Sequence, residues 1–313
     1  MANNTLSGFQ AVEPYIVAYY ALLLIIFGTL FNMITFIVFC RAKFRNAQER
    51  STIHYMRAIA IVDILMLYGW NFDHYLTTVY GFSLGSTSIA ACKISIFINY
   101  FAPQASAWLR IFTCLDRYLC LSRLGRTWFS STKNALIIIA VIVIFFTFFN
   151  LHILILACTY NASGRITGNT STYKIFPLWD WVNLGLYNGI PFFIMAYLNT
   201  GVIYHLFRLK NTSTVQNSRI QHRSMSITLV ITTVAFMLLT IPPTVCYGFF
   251  YSKLSVVILH LLDSLMYTYH VMAFPLYLIT LTEFRREFYN LIRCGMGQQR
   301  IRPFLTTTHM TRQ

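Results

Sequence analysis

The sequence predicts an all-α fold: a bundle of seven transmembrane helices followed by a short amphipathic helix on the membrane surface. Three observations predict it. Hydrophobic residues make up 57% of the 313 and charged residues only 11%, against about 25% charged in soluble domains. That is too few to cover a surface facing water. Four uncharged runs are each longer than the roughly 18 residues that mark a membrane crossing. Finally, 19 of the 24 Lys and Arg fall in alternate connections and the C-terminal segment.

Taken in chain order, residues 1–14 form an N-terminal segment with neither the basic start nor the apolar centre of a signal peptide. The expectation is a first span that inserts uncleaved. That span is Tyr15–Cys40, 26 residues without a charge. The second, Ile53–Leu76, carries Arg57, Asp63 and Asp73, and the third, Ile94–Leu115, carries Arg110. Both are long enough to cross, and ionisable residues at membrane depth mark function, so they read as spans rather than re-entrant or surface helices. The fourth span is Ala135–Cys158, with 24 uncharged residues; the fifth, Trp181–Phe207, and the sixth, Met225–Tyr251, have 27 each. The seventh, Leu254–Leu281, carries His260, Asp263 and His270. Residues 15–281 thus form one membrane domain, with no internal repeat, low-complexity tract or soluble domain. In residues 282–294, Phe284, Phe288, Leu291 and Ile292 recur at i, i+4, i+7 and i+8, with Arg285, Arg286 and Arg293 on other faces. This is the pattern of a basic helix lying on a membrane, and residues 295–313 follow as a tail. The outer loop Thr159–Asp180 and that tail are the longest pieces expected to lack structure.

The net charge of +15 does not point to nucleic acid, because of where the charge lies. Lys and Arg number five in Arg41–Arg57, four in Arg117–Lys133, four in Arg208–Arg223 and six from Arg285 onward. The positive-inside rule puts these segments in the cytoplasm and the N-terminus outside, as in a multi-pass plasma-membrane protein. The glycosylation sequons at Asn3, Asn161 and Asn169 then all fall outside, whereas the one at Asn211 falls inside, where no sugar reaches it.

The third span ends in Asp116-Arg117-Tyr118, where Arg117 can leave hydrocarbon for water. In this triplet the sequence resembles the rhodopsin-like class of G-protein-coupled receptors, and the resemblance covers residues 15 to 294. Cys92, 25 residues before Arg117, stands where that family has a cysteine bonded to the second outer loop. Cys158 is the loop cysteine available, although it lies earlier than is usual, which keeps Cys246 as an alternative. Asn32 and Asp63 look like the family's buried polar anchors. Ser106 matches a residue that joins the Asp63 position around a sodium ion in family members. Pro191 and Pro242 match prolines of the fifth and sixth helices. "AFPLYLITLTEFRREF" resembles the Asn-Pro-x-x-Tyr end of the seventh helix and the surface helix after it, with Tyr277 aligned and Cys294 as a palmitoylation candidate.

The departures are specific. Ala273 and Phe274 replace the family's Asn and Pro, and Pro275 is displaced by one. Thr240 replaces a sixth-helix Trp, Asn199 a fifth-helix Tyr, and the fourth span has no Trp. His222 stands where some members have an acid facing the Arg of the triplet. Arg110 occupies an ordinarily apolar position, one turn below Ser106, and Asp63 is the acid closest to hand as its partner. The combination looks most like invertebrate neuropeptide receptors of the FMRFamide type. The resemblance implies an extracellular ligand, a peptide on this reading, and a heterotrimeric G protein inside, with Asp116, Arg117, Tyr118, Pro242 and Tyr277 in the switch. It implies neither enzymatic activity nor a cofactor.

Ligand chemistry is read from the outer halves of the spans. The seventh span has no Lys for a retinal Schiff base, and Asn99 stands where amine receptors have Asp. Asp73, Asp180 and Asp263, beside Trp70, Tyr100, Trp181 and Tyr267, could hold a cationic ligand by charge and cation–π contacts. Taken singly, each acid reads as an interfacial residue within an aromatic belt. The alternatives are an invertebrate chemosensory receptor for a small molecule, a transporter or channel, and a membrane di-iron or hydrolytic protein. Transporters commonly carry repeats, which are missing here, and the eight His never cluster in metal-ligand spacing along the chain.

Overall fold

A computed structural model describes residues 2–41, 44, 50–122, 129, 131–168, 173–175, 178–211, 217–250 and 253–295. Asn169, the side chains of Asn3, Asn211, His222 and Cys294, and the tail 296–313 lie outside the described residues. The chain forms helices α1 (Ala2–Cys40), α2 (Arg50–Tyr68), α3 (Trp70–Tyr80), α4 (Ile89–Ser122), α5 (Thr132–Phe149) and α6 (Leu151–Leu156). A two-stranded antiparallel hairpin follows, β1 (Thr159–Tyr160) paired with β2 (Ile166–Thr167). Then come α7 (Leu178–Asn183), a π-helical segment (Leu184–Gly189), α8 (Ile190–Asn211), α9 (Asn217–Phe250), α10 (Val256–Thr280) and α11 (Thr282–Gly295).

Six stretches are long and apolar enough to cross a membrane: Val12–Cys40, Ser51–Tyr80, Thr132–Leu156, Leu178–Arg208, Ser224–Phe250 and Val256–Thr280. The chain is a multi-pass helical membrane protein. Its outward side chains suit lipid: Val141, Phe145 and Phe148 on α5 and Phe193 and Tyr197 on α8 are all exposed.

Helix α4 differs. Its 34 residues reach about 51 Å at 1.5 Å per residue, so length is no obstacle to crossing. Asn99, Gln104 and Arg110 make it less apolar, and they do so on a helix packed between neighbours. From Tyr100 to Arg117 nearly every side chain is buried, because α4 packs against α2, α5, α8 and α9. Around it, α1 packs on α2 and α10, and α10 on α9.

Several expected boundaries change, each for a local reason. The second span runs on to Tyr80 as two helices broken at Gly69, where a Cβ would collide with the Asn99 carboxamide. The fourth divides at Asn150, whose Nδ2 donates to the Phe146 carbonyl (2.9 Å) and ends α5. The fifth begins at Leu178 and contains the π-helical segment. Helix α1 takes in the described residues of the N-terminal segment, and the loop from Thr159, expected to lack structure, contains the hairpin. Helix α11 packs on the bundle as well as presenting a face outward: Phe284 is fully buried, its ring 5.1 Å from Phe39 and 5.6 Å from Tyr277. Arg41 Nε donates to Glu287 Oε2 at 2.9 Å, tying the end of α1 to α11.

Candidate functional site

At the middle of the bundle, three helices meet at one carboxylate. Asp63 on α2 is 0% exposed, and an isolated charge there would be prohibitively costly. Its Oδ1 accepts from Ser106 Oγ (2.8 Å), Arg110 Nη2 (3.1 Å) and His270 Nδ1 (2.9 Å), and its Oδ2 from Arg110 Nη2 (2.8 Å). Arg110 on α4 also donates from Nε to the Tyr269 hydroxyl (3.0 Å) and from Nη1 to both the carbonyl and the hydroxyl of Ser106. Its guanidinium carbon lies 5.1 Å from the Phe236 ring and 5.0 Å from the Tyr269 ring. Asn32 Nδ2 donates to the Gly28 and His270 carbonyls, both at 2.9 Å, and so pins α1 to α10.

This arrangement brings together the whole buried polar set read from the sequence: Asn32, Asp63, Ser106 and Arg110. It adds two residues to which sequence reasoning gave no role, Tyr269 and His270. His270 Nδ1 faces a carboxylate, and its Nε2 lies 3.4 Å from the Tyr187 hydroxyl. The chemistry fits an Nδ1–H tautomer donating to Asp63 while Nε2 accepts from Tyr187. Below Arg110 lies a cavity of about 20 Å³ as measured for the centre of a water molecule, lined by Ile59, Thr113, Leu229, Thr232, Thr233, Tyr269 and Tyr277. A water molecule needs roughly 10–15 Å³ on that measure, so the cavity is large enough for one.

The end of α4 carries the triplet. Asp116 accepts from Ser51 Oγ (2.9 Å), Thr52 Oγ1 and Arg117 Nη2 (2.9 Å). Arg117 is turned onto its own neighbour and buried. Tyr118 lies so close to Gly201 on α8 that a Cβ there would collide with its ring. Pro242 lies within α9, two residues after Thr240, whose hydroxyl donates to Asn188 Oδ1 (3.0 Å) and to the Phe236 carbonyl (2.7 Å).

At the opposite end, Cys92 and Cys158 form a disulfide, and Cys246 is free. Each acid read as a ligand contact has its own hydrogen-bond partners. Asp73 accepts from Ser83 Oγ (3.0 Å) and Leu84 N (2.6 Å), tying down the turn after α3. Asp180 accepts from Tyr100 (2.7 Å), and Asp263 from Tyr247. Tyr267 is stacked on Trp70 at 5.7 Å, and Trp181 stands edge-on to Phe249 at 5.2 Å. Asn161 is exposed in the hairpin turn, where its Oδ1 accepts from Ser163 N, Ser163 Oγ and Arg165 N.

Two further outer features were missed from sequence. Gln104, Asn150, Trp179 and Asn183 form a chain: Trp179 Nε1 to Asn150 Oδ1 (3.1 Å), Asn150 Nδ2 to Gln104 Oε1 (2.8 Å) and Gln104 Nε2 to Asn183 Oδ1 (3.2 Å). Glu13, though buried on α1, accepts from or shares a proton with His260 Nδ1 at 3.0 Å. An amide or acid on an apolar run, such as Gln104 on α4, is the only signal the sequence offered for either.

Comparison with known protein families finds no matching model, and no curated protein matches the chain.

Proposed function

We propose that the chain is a seven-span receptor of the rhodopsin-like type, with α4 as its third span. On this reading it binds an extracellular ligand, a neuropeptide, and activates a heterotrimeric G protein. The observation that carries the reading is the course of α4. One central helix passes through a buried Asp63–Arg110–Ser106 cluster and ends in Asp116-Arg117-Tyr118, while the loop disulfide sits at its other end. Arg117, folded onto Asp116, suits a resting state with no partner bound. Activation is then a two-state equilibrium that the ligand shifts by its differential affinity, with the proline-containing α9 swinging outward. Because Asp73, Asp180 and Asp263 are each engaged separately, a cationic ligand would have to exchange at least one of those hydrogen bonds for its own.

The test is guanine-nucleotide exchange on a heterotrimeric G protein in vesicles containing the full-length chain, with a neuropeptide library as the ligand source. Ligand-dependent exchange that disappears in Arg117→Ala supports the proposal. A chain that binds no member of the library and leaves exchange at the level of empty vesicles for every G-protein class overturns it.

A further inference from the structure

We propose that the cavity below Arg110 is a binding site for one ordered water molecule, which joins α4, α9 and α10 through hydrogen bonds. The site lies among the spans and is independent of the receptor reading. It links the Tyr277 hydroxyl to the Asp63–Arg110 cluster.

Donors and acceptors around the cavity define its occupant. Thr113 Oγ1 donates to the Leu109 carbonyl at 2.7 Å, Thr232 Oγ1 to the Leu229 carbonyl at 3.0 Å, and Thr233 Oγ1 to that same carbonyl at 2.7 Å. A hydroxyl has one proton and two lone pairs, so each threonine oxygen offers the cavity only an acceptor. The tyrosines offer the opposite. Tyr269 accepts from Arg110 Nε at 3.0 Å, which leaves its own proton to be given, and Tyr277, 5% exposed, brings a second hydroxyl. Among the described residues neither tyrosine proton has an acceptor. Both tyrosines and all three threonines line the cavity.

A buried donor left unmet costs free energy, and only a molecule that both accepts and donates matches this lining. A water bound there accepts from Tyr269 and Tyr277 and donates to two of the threonines, within the range of 2–4 bonds that buried waters make. An anion would face three oxygens that present only lone pairs. A cation would face the Arg110 guanidinium, with no carboxylate among the lining residues. The consequence is mechanical. Thr113 belongs to α4, Thr232 and Thr233 to α9, and the tyrosines to α10. A bridging water gives bonds enthalpically close to direct ones, yet it is part of no helix. A shift of α9 therefore re-forms the bridge around the water, where a direct side-chain bond would break.

The test is radiolytic hydroxyl-radical labelling of the full chain in lipid nanodiscs, because radicals formed from a bound water oxidise the side chains beside it. Tyr269 and Tyr277 should be oxidised although both are buried, whereas Tyr55, equally buried but outside the cavity lining, should not. After transfer to H₂¹⁸O, the isotope should reach the two cavity tyrosines more slowly than exposed Tyr289. Thr113→Val combined with Thr232→Val keeps the shape of the wall and removes two acceptors, and oxidation of Tyr277 should then fall to the level of Tyr55. Tyr277→Phe is the second arm and does not depend on the threonine variant folding: with one donor lost, Tyr269 should be oxidised less and exchange isotope faster. Replacing NaCl by NaBr or by choline chloride should change nothing. Cavity tyrosines that stay unlabelled in the wild-type chain, labelling that is unchanged in both variants, or labelling that follows the salt and so reports an ion would each overturn the proposal.

Discussion

The Asp63–Arg110 pair offers the sharpest perturbation. Both groups are buried, so solvent does not screen them, and the closest N–O distance is 2.8 Å. With charge centres about 4 Å apart, an effective dielectric constant near 20 gives roughly 4 kcal/mol of attraction. That agrees with the roughly 3–5 kcal/mol lost when one member of a buried pair is removed. Asp63→Asn strands a guanidinium among Phe236, Tyr269 and Ser106. Arg110→Leu strands a carboxylate that still accepts from Ser106 and His270, so it should cost less. The double variant removes both charges and should recover much of the loss. The assay is thermal unfolding of the full chain in nanodiscs, read as a double-mutant cycle. The expected order of midpoints is wild type, double variant, Arg110→Leu, Asp63→Asn, with a coupling energy above about 1 kcal/mol. If the two single losses simply add, the pair is not coupled and the reasoning fails.

Three further outcomes follow. Cys92→Ser and Cys158→Ser should each reduce surface expression and destabilise the fold by about 2–5 kcal/mol, measured by surface labelling and unfolding; equal expression of both variants and wild type would count against a structural role. Asn161→Gln should remove a glycosidase-sensitive mass shift and Asn211→Gln should not; sugar on Asn211 would reverse the orientation. On the receptor reading, ligand-free nucleotide exchange should be measurable, insensitive to sodium and lower in Arg110→Leu; strong sodium inhibition of wild type would refute it.

Much of the spanning pattern was legible because lipid constrains one-dimensional composition. Runs such as Tyr15–Cys40 and Ala135–Cys158 must be apolar wherever they touch hydrocarbon. Breaks within spans were not legible, because they depend on side chains finding nearby backbone: Asn150 reaches the Phe146 carbonyl, and Gly69 makes room for Asn99. Of the central site, Arg110 could be found because a charge at membrane depth needs a partner, whereas Asn32, Asp63 and Ser106 were read only from the resemblance. His270 could not be found, since its role depends on where α10 packs and on which ring nitrogen meets Asp63. The partners of the outer acids were not legible either. Asp73, Asp180 and Asp263 looked alike in sequence, yet a serine, a backbone N–H and two tyrosines engage them separately. Glu13 drew no attention because residues 1–14 read as a segment apart from the bundle.

The central cluster also differs in kind from an ion site. A bound ion exchanges with solvent, so its occupancy follows salt concentration by mass action. Arg110 is covalently part of α4, and its occupancy of the Asp63 carboxylate depends only on where α4 and α2 sit. The five hydrogen bonds from Arg110 to Asp63, Ser106 and Tyr269 span α2, α4 and α10. Any rearrangement that separates these helices must break several of them at once. The bland alternative is a guanidinium that merely fills space, for which Arg110→Lys would serve nearly as well. A fork that reaches three partners cannot be replaced by a point charge. Arg110→Lys should therefore fall well below wild type in unfolding midpoint, close to Arg110→Leu. Recovery of the wild-type midpoint in Arg110→Lys would show that charge alone, and not the fork, holds α2, α4 and α10 together.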